Sequence, residues 1–242
     1  MPSQEELIEL LRRAGTSWSS ARGVARHWRD QSLVNIAFAR YVQALAETGP
    51  VATATLAASS DRDDDLTSES VLAVATDRRG RRRRADLLSR RNEQVWSDVV
   101  IMDGDTFWAR TGTSTVTNDG DPHVTHGGAG IIDLLLPSAV PAAFDLTPSG
   151  DLESVAGRTC AVASAAPRRP DPNVPVRGSE LFTMVAGGSS FRLSIDERTG
   201  VLLRVVKLVD GAAAEVCEFT EITFDEPLDD ALFAPLPQAT PH

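Results

Sequence analysis

The chain has 242 residues, a formal net charge of −10 and a 42% hydrophobic fraction. Such a length and apolar content suit a globular protein with a real core. The charge speaks against general affinity for nucleic acid or anionic membrane, and no run of about 18 apolar residues predicts a stable membrane span. Positive charge is almost all arginine; Lys207 is the only lysine.

The N-terminal stretch carries Glu5, Glu6 and Glu9 among its first apolar residues. A secretory signal would instead place positive charge before an apolar segment and a small-residue cleavage site. With no such pattern and no lipobox cysteine, a cytoplasmic protein is expected. Ser3 followed by Glu6 forms a capping box, and Leu7, Leu10 and Leu11 repeat at helical spacing, which predicts a helix over 3–13. A strand follows over Thr16–Asp30, with Trp18, Ser20, Arg22, Val24, Arg26 and Trp28 on one face and Ser19, Ala21, Ala25 and His27 on the other. Asp30 opens a second helix, about Gln31–Glu47, whose apolar residues Val34, Phe38, Tyr41, Val42 and Leu45 keep the helical period.

Residues 49–70, rich in small and acidic side chains, are read as a loop. A strand over Val71–Thr76 precedes the arginine run Arg78–Arg84. Strands Val95–Met102 and Thr106–Arg110 form a hairpin around Asp103-Gly104. Residues 111–130 read as a polar loop. Two short helices, Ile131–Leu136 and Ser138–Asp145, are broken by Pro137 and Pro141. Then come strands at Leu152–Ala156 and Arg158–Ala165, a proline-rich connection over 166–178, and strands Glu180–Val185, Ser190–Asp196, Val201–Val209 and Ala214–Phe224. A short helix and tail over Asp225–Pro237 close the chain. Cys160 and Cys217 fall in strands; they are expected as reduced, packed thiols, and a disulfide between them stays open because its geometry cannot be read from sequence.

Three strings carry a resemblance: VAGRTCAVASAAPR (Val155–Arg168), SIDERTGVLLRVV (Ser194–Val206) and EFTEITFDEPLDDALFAPLP (Glu218–Pro237). They resemble the closing strands and terminal segment of the outer-membrane lipoprotein carriers and their relatives, the LolA–LolB–RseB-like superfamily. The resemblance implies an α+β fold, a single domain over 1–242 in which a curved antiparallel sheet, an open half-barrel, wraps around two or three helices. It also implies an acyl or other lipid-like ligand between sheet and helices, held without catalysis. The arginine run has no counterpart in that pattern.

The large aromatics available to line such a concave face are Trp28, Trp96, Phe107, Trp108, Phe182 and Phe191; as a set they serve equally as ordinary core. Arg81, Arg82, Arg83 and Arg84 offer bidentate donors to an anionic partner, against the alternative of a solvated strand edge neutralised within the chain. That surface, or the sheet edge, underlies a second reading as a protein-interaction or regulatory module. His123 and His126 stand at a metal-like spacing near Asp119 and Asp121, but on a glycine-rich stretch with no further ligand fixed by spacing, so no metal and no cofactor are expected. No G-x-S-x-G, phosphate-binding loop or dinucleotide fingerprint occurs, and no enzyme is expected.

Overall fold

A computed structural model of the chain describes residues 2–48, 67–77, 82–91, 94–118, 131–168 and 189–236. Helix α1 (Gln4–Arg13) begins at the predicted capping box: the Ser3 N–H donates to Glu6 Oε2 at 2.6 Å, and the Glu6 N–H donates to Ser3 Oγ at 3.2 Å. Two of the helix's four orphan donors are thereby satisfied. Leu7, Leu10 and Leu11 form its buried stripe.

Among the described residues the strands form one antiparallel sheet of 11 members. They are β1 (Ser20–Asp30), β2 (Thr67–Asp77), β3 (Arg82–Arg91), β4 (Gln94–Asp103), β5 (Thr106–Thr111), β6 (Ser114–Thr117), β7 (Phe144–Val155), β8 (Arg158–Pro167), β9 (Ser190–Asp196), β10 (Leu202–Val209) and β11 (Ala212–Phe224). Their order is β6-β5-β4-β3-β2-β1-β11-β10-β9-β8-β7. The first and last strands pair at the middle, and β6 and β7 remain as unjoined edges, so the curved sheet is open. The α+β half-barrel expected from the sequence is the fold observed. Helix α2 (Gln31–Thr48) follows β1 directly, with Asp30 capping it through the Leu33 N–H. Helix α3 is a single turn (Val140–Ala143).

Strand pairing fixes two faces, because side chains alternate along each strand. The inner face carries Ala21, Gly23, Ala25 and His27 of β1, Leu72 and Val74 of β2, and Phe219, Cys217, Val205, Leu193 and Ala163 across the other wing. Helix α1 and residues 131–143 pack on it, contributing Leu7, Leu11, Ile132, Leu134, Leu135 and Val140 to the main core. The turn at Gly200 meets α1 so closely that a Cβ there would lie 1.9 Å from the Leu10 carbonyl oxygen, and its φ is +78°. Only glycine fits. The outer face of β2–β5 is capped by the C-terminal segment, where Phe233 and Leu236 cover Ala75, Val99 and Ile101. Helix α2 rests on Val209 and Ala214 through Leu33, Val34 and Ala37.

Several expectations are corrected. The buried face of β1 is the small-residue face, not the one carrying Trp28: a bulge at Val24/Ala25 brings the β11 backbone within 2.5 Å of where a Gly23 Cβ would stand. The hairpin turn is Gly104-Asp105, with glycine first at φ +60° as a type II′ loop requires. Strand β2 starts at Thr67, inside the expected 49–70 loop; Thr111 and β6 occupy part of the expected 111–130 loop; Ala166 and Pro167 extend β8 into the expected 166–178 connection. Phe144 and Asp145 are strand rather than helix, because β7 pairs with β8 from Phe144 onward. The arginine run continues into β3, an interior strand. The remainder of those loops, the expected strand Glu180–Val185, Asp119, Asp121, His123 and His126 lie outside the described residues. Both cysteines are free and buried, as expected.

Candidate functional site

Apolar side chains on a sheet belong under cover, and on the inner face they are covered unevenly. In the β7–β11 wing they are buried under α1. In the β3–β6 wing the inner rows run Val74–Ala85–Val100–Ala109–Val116 and Ser70–Ser89–Trp96. There Val116 is 55% exposed and Trp96 43%. Leu87 is half-buried against the main core. The inner face of this wing is therefore buried at Val74, Ala85, Phe107 and Ala109 and open to solvent at Trp96 and Val116.

Beside it lies a buried charge cluster. Pairing places His27 opposite Cys217, Arg29 opposite Glu215, and Lys207 opposite Glu215, all on the inner face. The side chains of Lys207 and Glu215 are each only 3% exposed. Glu215 Oε1 accepts from His27 Nε2 at 2.6 Å and from Arg29 Nε at 2.9 Å. Its Oε2 accepts from Lys207 Nζ at 3.4 Å. Burial pushes the Glu215 carboxyl up, but the His27 hydrogen bond and the Arg29, His27 and Lys207 charges outweigh it and hold it at about 2. Burial draws the Lys207 ammonium below its ordinary value, and Glu215 draws it part of the way back. The Cys217 thiol is pushed up by burial and by Glu215, so it is an inert packing group.

The six aromatics of the sequence reading do not share one surface. Trp96, Phe107 and Phe191 are on the inner face, while Trp28 and Trp108 are on the outer face, by their register with Glu69 and with Ile101. Phe191 is core, edge-on to Phe144 with ring centroids 5.2 Å apart. Phe107 is buried. Trp108 packs beside Ile101 and Phe233. Phe182 lies outside the described residues, as does Arg81. Arg82 is committed within the chain: it bonds Asp77 and Asp230, both at 2.5 Å, and lies over the Phe233 ring at 4.8 Å. Arg84 holds Asp86 with two bonds, at 2.7 and 2.8 Å, and donates to the Leu232 carbonyl. Arg83 points the other way, on the inner face opposite Thr76.

A cleft of about 350 Å³ with a mixed lining lies on the outer face, bordered by Arg22, Val24, Ala73, Arg84, Asp86 and Leu232 among others. A shallower one of about 460 Å³ runs along α1 past Glu6, Glu9, Arg13 and Glu197. Neither is lined by the aromatics. The described residues hold no group of three or more histidine, cysteine or acidic side chains arranged for a metal, and no described helix is long and apolar enough to cross a membrane.

No protein-family model matches the sequence, and no curated protein matches it. Solved structures do. An uncharacterized conserved protein from Thermus thermophilus is 10% identical, with 98% of this chain and 96% of that one covered and a TM-score of 0.51. This likeness is one of fold alone. MucB of Pseudomonas aeruginosa, in its complex with MucA, is 17% identical at a TM-score of 0.42; the match covers 96% of this chain and 60% of MucB. A LolA superfamily protein from Nitrosomonas europaea is 9% identical at a TM-score of 0.33, covering 97% of this chain and 98% of that one. LolA-like structures thus stand among those this chain is similar to.

No local sequence pattern assembles the cluster, and Lys207 stands out in the chain only as the single lysine. The available signal was parity: Val205, Lys207 and Val209 share a strand face whose other members are apolar, so the lysine was placed inward.

Proposed function

We propose that this chain is a non-enzymatic binding protein that holds an apolar or lipid-like ligand against the inner face of its β3–β6 wing. The observation that carries the reading is the exposure of Trp96 and Val116 on the face that, in the other wing, is buried under a helix. An apolar surface on the hollow side of an open sheet calls for a cover, and an acyl chain supplies one at about 25 cal/mol per Å² buried. The test is to delipidate the protein, reload it with acyl compounds, and identify what is retained by mass spectrometry. Retention of an acyl compound, weakened by Trp96→Ala, is expected. Failure of every acyl compound to load would overturn the reading.

A second reading, a protein-interaction module, has its own observation. On the outer face Val71, Leu88 and Val95 stand exposed on the adjacent strands β2, β3 and β4. It moves the partner surface from the arginine run, where Arg82 and Arg84 are already engaged, to this aliphatic patch. Leu88→Glu should release a protein partner that Arg83→Ala leaves bound; the reverse result would return the arginines to the role.

A further inference from the structure

The charge cluster and the exposed apolar wing share one continuous row. His27 of β1 pairs with Ser70 of β2, Ser70 with Ser89 of β3, and Ser89 with Trp96 of β4. All four are on the inner face. At a strand spacing of roughly 4.8 Å, Trp96 stands roughly 14 Å across the sheet from His27. The two serines between them bond to each other, Oγ to Oγ, at 3.0 Å. They are short, and the next row holds the longer Leu72 and Leu87, so the serine row is the low part of the surface.

At the His27 end, charge is unbalanced. Arg29 and Lys207 are two cations facing one carboxylate, Glu215. Among the described residues Arg29 bonds only through its Nε, to Glu215 at 2.9 Å, and its two terminal nitrogens have no partner. The Arg29 side chain is 42% exposed, so it is reachable, while Lys207 is buried on the other side of Glu215. Lys207 has three donors and, among the described residues, one acceptor at a long 3.4 Å. Buried charge without full compensation is costly, and an incoming anion would complete the set.

The geometry points to an anion site at Arg29, backed by Lys207, that takes the carboxylate of a long-chain acyl ligand whose tail lies over Ser70 and Ser89 toward Trp96. This rests on the reading of the inner face as a ligand surface and names the chemical class of its ligand. Arg29 gives the planar two-donor fork that suits a carboxylate. Glu215 and His27 are positioning residues: Glu215 holds Arg29 by its Nε and leaves its terminal nitrogens free, and His27 donates to the same carboxylate oxygen and holds Glu215 in place.

Lys207 provides the readout. As the only lysine it gives a single side-chain signal when the protein is labelled with lysine carrying carbon-13 at Cε. Full-length protein is titrated with dodecanoate, with dodecanol and with acetate, following affinity and that signal. Dodecanoate is expected to bind about tenfold or more tighter than dodecanol, the worth of one charge-assisted hydrogen bond. Dodecanoate should also move the Lys207 signal, and dodecanol should not. In Arg29→Gln the preference should fall to near parity with dodecanol affinity kept, since this half-exposed side chain is not core. Equal binding of acid and alcohol in the unaltered protein, or a preference that survives Arg29→Gln, overturns the anion site and leaves the apolar ligand surface standing. Acetate binding as tightly as dodecanoate shows a small-anion site only, and overturns the acyl assignment. Binding of neither long-chain compound overturns the ligand surface itself.

Discussion

Strands β7–β11 bury their inner-face side chains under α1 and residues 131–143, whereas β3–β6 leave Trp96 and Val116 on that same face open to solvent. Both wings belong to one sheet and alternate in the same way. They differ in what lies on top. Over β7–β11 the chain supplies a capped helix with three buried leucines and a turn, Gly200, shaped to receive it. Over the inner face of β3–β6 the described residues supply nothing comparable, and the C-terminal segment goes to the outer face instead. The proposed ligand surface rests on this contrast, cover over one wing against exposed Trp96 and Val116 in the other.

The contrast can be tested by substitution in each wing. Leu11→Ala, at a fully buried site under α1, should cost about 2–5 kcal/mol in urea unfolding, the range for a cavity that the surroundings cannot close. A cost below about 1 kcal/mol would show that α1 is not the rigid cover described.

Acid should act at the junction of the wings. Glu215 has its carboxyl depressed from an ordinary 4.5 to about 2 in the folded chain. A depressed carboxylate stabilises the fold above its unfolded value, and that contribution is lost as pH falls from about 4.5 toward about 2. Its full size is on the order of 3 kcal/mol. Unfolding free energy measured across that window should drop, and Glu215→Gln should flatten the drop while lowering stability at neutral pH. An unchanged slope in the variant would remove Glu215 from this role.

Gly200→Ala should cost about 1–3 kcal/mol, because it adds a Cβ in a positive-φ conformation against the Leu10 backbone. Thermal melting of the variant should show the loss, and hydrogen exchange should place it in α1. The smallest effect belongs to the open wing: Val116→Thr, at a largely exposed site, should change stability by less than about 0.5 kcal/mol. A loss as large as that of Leu11→Ala would erase the distinction between the wings.

Local chemistry made much of this legible beforehand. The Ser3–Glu6 capping box set the start of α1, and Asp30 set the start of α2. Strands β8 to β11 fall within a few residues of their expected places, since each is an apolar run bounded by turn residues such as Ala156-Gly157 and Asp210-Gly211, all four with positive φ. Strand β3 was illegible for a physical reason. Its arginines read as a solvated surface until Asp77, Asp86 and Asp230, from other parts of the fold, stand beside them. The candidate site was hidden in the same way. His27 and Arg29 come from β1, Glu215 from β11, and the two strands become neighbours only when the chain's ends pair at the middle of the sheet.

By itself the sequence determined the capped first helix and the hairpin strands of the C-terminal half, because these depend on periodicity, caps and turn residues that lie close together in the chain, while the α+β half-barrel came from the resemblance of three strings. Tertiary structure alone decided which face each strand buries, which aromatics meet, and that the single lysine sits with an arginine, a histidine and a glutamate. Those depend on register and on which strands pair, and a bulge at Val24/Ala25 or the closure of β1 on β11 is set by the packing of the whole sheet.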